Sequence, residues 1–150
     1  ARGKDMPLVS GTTAQYVSTP VIEVSQVTTA DTSRTAPSTT TLICAGPSSA
    51  SAAGIGKRIL RITICGTATT LANAVRIFIS TDGGTTKRLL VERVIPAITA
   101  TAGTTPPFRA EVPELVGLVL PGTVSSNATN LYASTNISET FNIVVESGTL

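Results

Sequence analysis

Residues 76–94 read Arg-Ile-Phe-Ile-Ser-Thr-Asp-Gly-Gly-Thr-Thr-Lys-Arg-Leu-Leu-Val-Glu-Arg-Val, two β-rich runs that face each other across Asp82-Gly83-Gly84. Before the turn Val75, Ile77 and Ile79 alternate with Arg76 and Ser80. After it Leu89 and Val91 alternate with Arg88, Leu90 and Glu92. A period of two with one apolar face is the pattern of a half-buried strand. Asp-Gly and Gly-Gly admit the positive φ that tight hairpin turns need, so turn and alternation specify the same antiparallel hairpin.

The same vocabulary recurs on both sides of the hairpin. Thr40 to Ala45 is a short apolar strand, and Arg58 to Cys65 has apolar residues on both faces, as a central strand would. Lys57, Arg58 and Arg61 read as a solvated strand start whose charge discourages stray pairing. Downstream, Phe108, Ala110 and Val112 alternate with Arg109 and Glu111, Leu118-Val119-Leu120 is closed by Pro121-Gly122, and Leu131, Ala133 and Thr135 share a face. Phe141, Ile143 and Val145 share another. About seven to nine short strands separated by Thr/Gly/Pro turns predict an all-β, antiparallel β-sandwich or jelly roll.

Composition agrees. The chain has 150 residues, of which 26 are Thr and 14 are Ser, while helix formers are few, so local propensity favours strands and turns. That length suits one domain, divided here into residues 1–40, an extended N-terminal arm or edge strands, and residues 41–150, the sandwich. In the first part apolar residues come in packets, Leu8-Val9, Tyr16-Val17 and Val21-Ile22, between Ser, Thr, Gly and Pro. Val21 to Val27 also suits an ordinary first strand, and the residues leave both readings open.

Mean hydropathy is +0.30 with only 13% charged residues, yet no run approaches the ~18 apolar residues of a membrane helix. The expectation is therefore no membrane partner, with the surplus apolar surface covered by self-association or by docking on a larger assembly. Leu8, Val9, Val21 and Ile22 are the candidate docking contacts, because their packets have no evident place in the sandwich. Eleven basic and nine acidic residues are interspersed, so no phosphate-neutralising stripe exists and no nucleic-acid partner is expected. The N-terminal charges are not followed by an apolar segment of about 7 to 15 residues, so no signal peptide is expected.

The chain has no His, which excludes Ser-His-Asp and Cys-His arrangements, and its nine acids are scattered one or two per element. No catalytic residue, cofactor or metal site is expected. Asp82 is one potential ligand where a calcium loop needs several, and it reads as a turn residue. Cys44 and Cys65 lie in apolar runs and read as buried free thiols, with a mutual disulfide as the alternative. Asn127-Ala-Thr and Asn136-Ile-Ser match the glycosylation pattern by chance in so Thr- and Ser-rich a chain.

From about Lys57 to Leu150 the chain resembles a group of small virion proteins of tailed bacteriophages. The residues that carry the resemblance are the hairpin Val75 to Leu90, Phe108-Arg-Ala-Glu-Val, Leu118-Val-Leu-Pro-Gly, Leu131-Tyr-Ala-Ser-Thr, and Glu139-Thr-Phe-Asn-Ile-Val-Val-Glu-Ser-Gly. The resemblance implies a non-enzymatic head decoration, or cement, protein with a jelly-roll-like sandwich. Such a protein is a homo-oligomer, a trimer, bound to the major capsid protein at the capsid surface after assembly in the host bacterial cytoplasm. A tail, baseplate or fibre component with an attachment role would use the same strands. Far-UV circular dichroism of the purified protein is expected to show well under about a fifth helix, against about a third in typical globular chains. A higher value would overturn the all-β assignment.

Overall fold

A computed structural model describes residues 16–49, 55–124 and 127–150. The described residues form nine strands: β1 (Thr19–Val27), β2 (Thr41–Ala45), β3 (Lys57–Gly66), β4 (Asn73–Ser80), β5 (Arg88–Ile95), β6 (Arg109–Glu111), β7 (Val119–Leu120), β8 (Asn130–Thr135) and β9 (Phe141–Thr149). Among them the helical content is a single 3-10 turn, Pro113–Leu115. One sheet has the order β1-β9-β3-β6, with β7 also on β3, and the other has the order β2-β8-β4-β5. Every strand pairing is antiparallel, and this nesting of outer strands around an inner hairpin is a jelly roll, as expected.

The core lies between the sheets. Ile59, Ile62, Ile64, Phe141, Ile143 and Val145 from one sheet meet Ile43, Val75, Ile77, Leu131 and Ala133 from the other. These are the alternating residues read from the sequence, with one adjustment in β3. A bulge between Ile59 and Arg61 places both Leu60 and Arg61 outside and keeps Ile59, Ile62 and Ile64 in the core.

Three expectations are corrected by burial. Lys57 is not at a solvated strand start: it is 8% exposed and points into the seam between the sheets. There it forms an ion pair with Glu23 of β1 and donates to the Ala45 carbonyl of β2 at 2.7 Å. The second face of β4 is not solvated either. Arg76, at 3% exposure, Phe78 and Ser80 are all buried. Residues 28–40 cross over this face, tied by the Asp31 N–H on the Thr135 carbonyl at 2.8 Å and by the Arg76 Nη1 on the Asp31 carbonyl at 3.3 Å. Finally, of the two cysteines only Cys44 is buried; Cys65 is half-buried, and both are free thiols. Of the two readings of Val21 to Val27, the structure has the strand. β1 pairs with β9 over nine residues, and Val27 reaches the core.

The hairpin that opens the analysis is present, with a wider connection than a two-residue turn. Gly83 and Gly84 have φ of 73° and 101°. A Cβ on Gly84 would also strike the Tyr132 hydroxyl, so glycine is required there on two counts. Asp82 holds the loop: its carboxylate accepts the Thr86 N–H at 2.8 Å and the Ser80 hydroxyl at 2.7 Å. These hydrogen bonds, the Thr86 N–H first, pull its pKa down from 3.8 to about 2.

Two outcomes follow. Lys57→Met removes the cation and leaves Glu23, which is three-quarters covered, without its partner; chemical denaturation is expected to show a loss of about 2–4 kcal/mol at unchanged m-value. An NMR titration is expected to place the Asp82 carboxyl at about 2. Its folded-state pKa is depressed, so its stabilising contribution is complete above the unfolded value of 3.8 and is lost as pH falls towards 2. A midpoint near 4 would contradict the loop geometry.

Candidate functional site

The two outer faces of the sandwich differ. On the β2-β8-β4-β5 sheet, residues 28–40 form a cover knotted by two charged groups. Asp31 accepts the Ser33 N–H at 2.9 Å and the Ser38 and Thr39 N–H groups at 2.8 Å each, and these backbone donors hold its pKa below the ordinary carboxylate value. Arg34 grips Glu92 through two nitrogens at 2.9 and 2.8 Å, and Arg76 reaches the same carboxylate at 2.5 Å. The Arg34 and Arg76 hydrogen bonds lower the Glu92 pKa in that order, against the desolvation that raises it. This is a structural clamp, with every charged group satisfied.

The outer face of the β1-β9-β3 sheet has no such cover among the described residues. Its register sets three rows: Ile22–Glu146–Arg61, Val24–Val144–Thr63 and Gln26–Asn142–Cys65. Ile22 is 68% and Val24 65% exposed, side by side on an edge strand. Leu60 adds a further exposed apolar side chain on β3. The centre is polar. Arg61 pairs with Glu146 and stands 3.6 Å from Glu111, and the Glu146 hydrogen bond raises the guanidinium pKa.

In Val21-Ile22-Glu23-Val24-Ser25 alternation places Ile22 and Val24 on one side of the strand and Glu23 and Ser25 on the other. The polar side faces inward because the inward side of β1 closes the seam against β2. Glu23 accepts the Ala45 N–H at 3.2 Å, and the Ser25 hydroxyl donates to the Leu42 carbonyl at 3.0 Å. These side chains satisfy backbone groups on the edge of β2 that have no strand beyond them. The opposite seam is closed in the same way, by Arg93 of β5 donating to the Glu111 carbonyl at 3.1 Å and pairing with Glu114 at 3.0 Å.

Of the four candidate contacts, Ile22 lies on the open face, and Val21 lies on the other side of the same strand, beside Ser147. Leu8 and Val9 are outside the described residues. Val24, Val144 and Leu60 were missed by sequence reasoning. For Val24 the available signal was the placement of Glu23 and Ser25 in a strand whose neighbours are apolar.

Other candidate sites have less chemistry. Among the described residues no group of three or more His, Cys, Asp or Glu side chains is placed to hold a metal ion. A shallow groove of about 630 Å³ lies between Thr67–Thr69 and Ala100–Pro107, lined by small Thr, Ala, Gly and Pro residues with no charged group. Cys44 is inert: burial first, then the Glu23 charge, pushes its thiol up to about 12. Cys65, on the open face, is the accessible one. A thiol-reactive aromatic disulfide is expected to titrate Cys65 alone in the native protein and both cysteines after denaturation. Two native thiols would mean that the β2 seam opens, and none after denaturation would show a disulfide.

No family model matches the sequence, and no curated protein matches it. Two chains from solved structures align with it. A pentameric capsid protein from metagenomic phage sequences is 15% identical, with 97% of this chain and 77% of that chain covered and a TM-score of 0.36. A chain of the capsid asymmetric unit of cyanophage Pam1 is 18% identical, with 97% and 99% covered and a TM-score of 0.34.

Proposed function

We propose that this chain is a non-enzymatic structural protein of a tailed-phage particle, which decorates and stabilises the capsid by binding between major capsid protein subunits. The observation that carries the reading is the pair Ile22 and Val24, exposed on the outer side of an edge strand whose inner side is committed to closing the sandwich. A strand so oriented presents an apolar side-chain row at the edge of a sheet, a surface that protein partners recognise by packing against it. The resemblance of Val75 to Leu90 and the segments after it to phage virion proteins supplies the partner. It also supplies the trimer, the capsid surface as the place of binding and the host cytoplasm as the place of assembly. Leu8, Val9 and Ile22 are the proposed docking contacts, joined by Val24; Val21 supports the strand from its inner side.

Co-sedimentation with undecorated phage heads tests this. The wild-type chain is expected to bind, and Ile22→Asp/Val24→Asp to bind more than about tenfold more weakly at unchanged circular dichroism. Burying even one such side chain is worth about 1.5–3 kcal/mol, and 1.4 kcal/mol is tenfold. Equal binding by the double variant would remove this face from the docking surface. No binding by the wild-type chain, with binding to tails or host cells, would favour a tail, baseplate or fibre component.

A further inference from the structure

Arg76 is a cation buried on the outer face of β4, and a guanidinium keeps its charge when water is removed from it. Its acceptors are the Glu92 carboxylate, the Asn136 side-chain oxygen at 3.0 Å and the Asp31 carbonyl at 3.3 Å. Of these only Glu92 supplies a counter-charge. The Asp31 carbonyl belongs to the crossover, so the cation lies directly beneath residues 28–40.

That crossover is fastened by few groups. Asp31 knots it internally through the Ser33, Ser38 and Thr39 N–H groups, and Arg34 clamps it to Glu92 of β5. Its ties to β8 are the Asp31 N–H on the Thr135 carbonyl, the Ser134 hydroxyl on the Asp31 carbonyl at 3.4 Å and the Thr135 hydroxyl on the Thr29 carbonyl at 3.2 Å. Within residues 28–40 only Pro37 is buried, so apolar packing adds little. Glu92 therefore has two tasks in one carboxylate: it neutralises Arg76 and it holds Arg34.

We propose that residues 28–40 form a releasable strap whose closure depends on the charge of Glu92. While Glu92 is ionised, it serves both guanidiniums and the strap stays down. Once Glu92 is protonated, Arg76 is a buried cation without a counter-charge, a state that is relieved by admitting water. Water reaches Arg76 when residues 28–40 lift. Release uncovers Arg76 and its cross-strand neighbour Ser134, on the sheet opposite the open face, and leaves the core between the sheets in place.

The charged groups facing Glu92 are Arg34 from the crossover and Arg76 from β4, while Arg93 beside it on β5 is turned away to Glu114. Asp31 is held by amide donors and the Ser38 hydroxyl. Both carboxylates lie below their ordinary values, Glu92 through the Arg34 hydrogen bond first and Asp31 through the Thr39 N–H first. Their stabilising contributions are complete above the unfolded values of 4.5 and 3.8 and are lost as pH falls through the depressed folded-state values. The strap is closed at neutral pH and released in acid.

Native-state hydrogen exchange of Glu92→Gln, which fixes the neutral form at neutral pH, tests this. The Ser33, Ser38 and Thr39 amides are expected to exchange at close to the rate of unstructured peptide, while β9 amides remain protected. In Glu92→Leu/Arg76→Met the cation leaves with its partner, and protection of the strap is expected to return although the Arg34 clamp is gone. In the wild-type chain, protection followed from about pH 7 to about pH 2 should fall in the strap at a higher pH than in β9. Protected strap amides in Glu92→Gln would overturn the proposal, as would simultaneous loss in strap and β9. A double variant whose strap stays open would assign closure to the Arg34 tether and overturn the role of the buried charge.

Discussion

Glu23 is the residue on which the arrangement turns. An edge strand placed beside another edge strand leaves backbone donors and acceptors facing a narrow seam, where water cannot serve them all and no further strand can be added. Glu23 answers this from β1 by accepting the Ala45 N–H and pairing with Lys57, which itself caps the Ala45 carbonyl. One carboxylate and one ammonium thus join β1, β2 and β3 across both sheets. Neither charge is isolated, so burial is tolerable. Ser25 completes the closure one pair further along, on the Leu42 carbonyl.

The exposed apolar surface is a consequence of that closure. Strand geometry allows each residue only two directions, so turning Glu23 and Ser25 inward turns Ile22 and Val24 outward. Part of the high mean hydropathy of a chain this poor in charge is expressed here as the row on β1, alongside other exposed apolar residues such as Val94 on the opposite sheet. The other sheet shows the opposite solution. Its outward residues Arg76, Phe78 and Ser80 are buried, with Arg76 held by residues 28–40 and the carboxylate of Glu92. One face is closed by the chain's own crossover, and the other is open among the described residues. The sandwich therefore has a direction, which a symmetric pair of sheets would lack.

The open face is also chemically mixed. The Arg61–Glu146 pair sits between the apolar residues of β1 and Leu60 of β3, and both partners remain partly exposed. Such a pair adds little stability on its own but discriminates against partners that would leave it unmatched. Cys65 lies two rows beyond, a half-buried free thiol, whereas Cys44 is buried beneath β1.

Much of the architecture is determined by local pattern. The Asp82-Gly83-Gly84 turn, the alternation in β4, β6, β8 and β9, and the absence of any 3.6-residue period are properties of neighbouring residues, and they suffice for an all-β sandwich. The surface is not local in this sense. Whether Lys57 meets water or a carboxylate depends on a residue 34 positions away, whether Arg76 is exposed depends on a crossover that ends 36 residues before it, and the direction of Ile22 depends on which strand lies beside β1. Alternation specifies that two sets of side chains point apart, but not which set faces the protein. That choice belongs to the tertiary structure, because only there do the unpaired backbone groups of β2 acquire a position from which Glu23 and Ser25 can satisfy them.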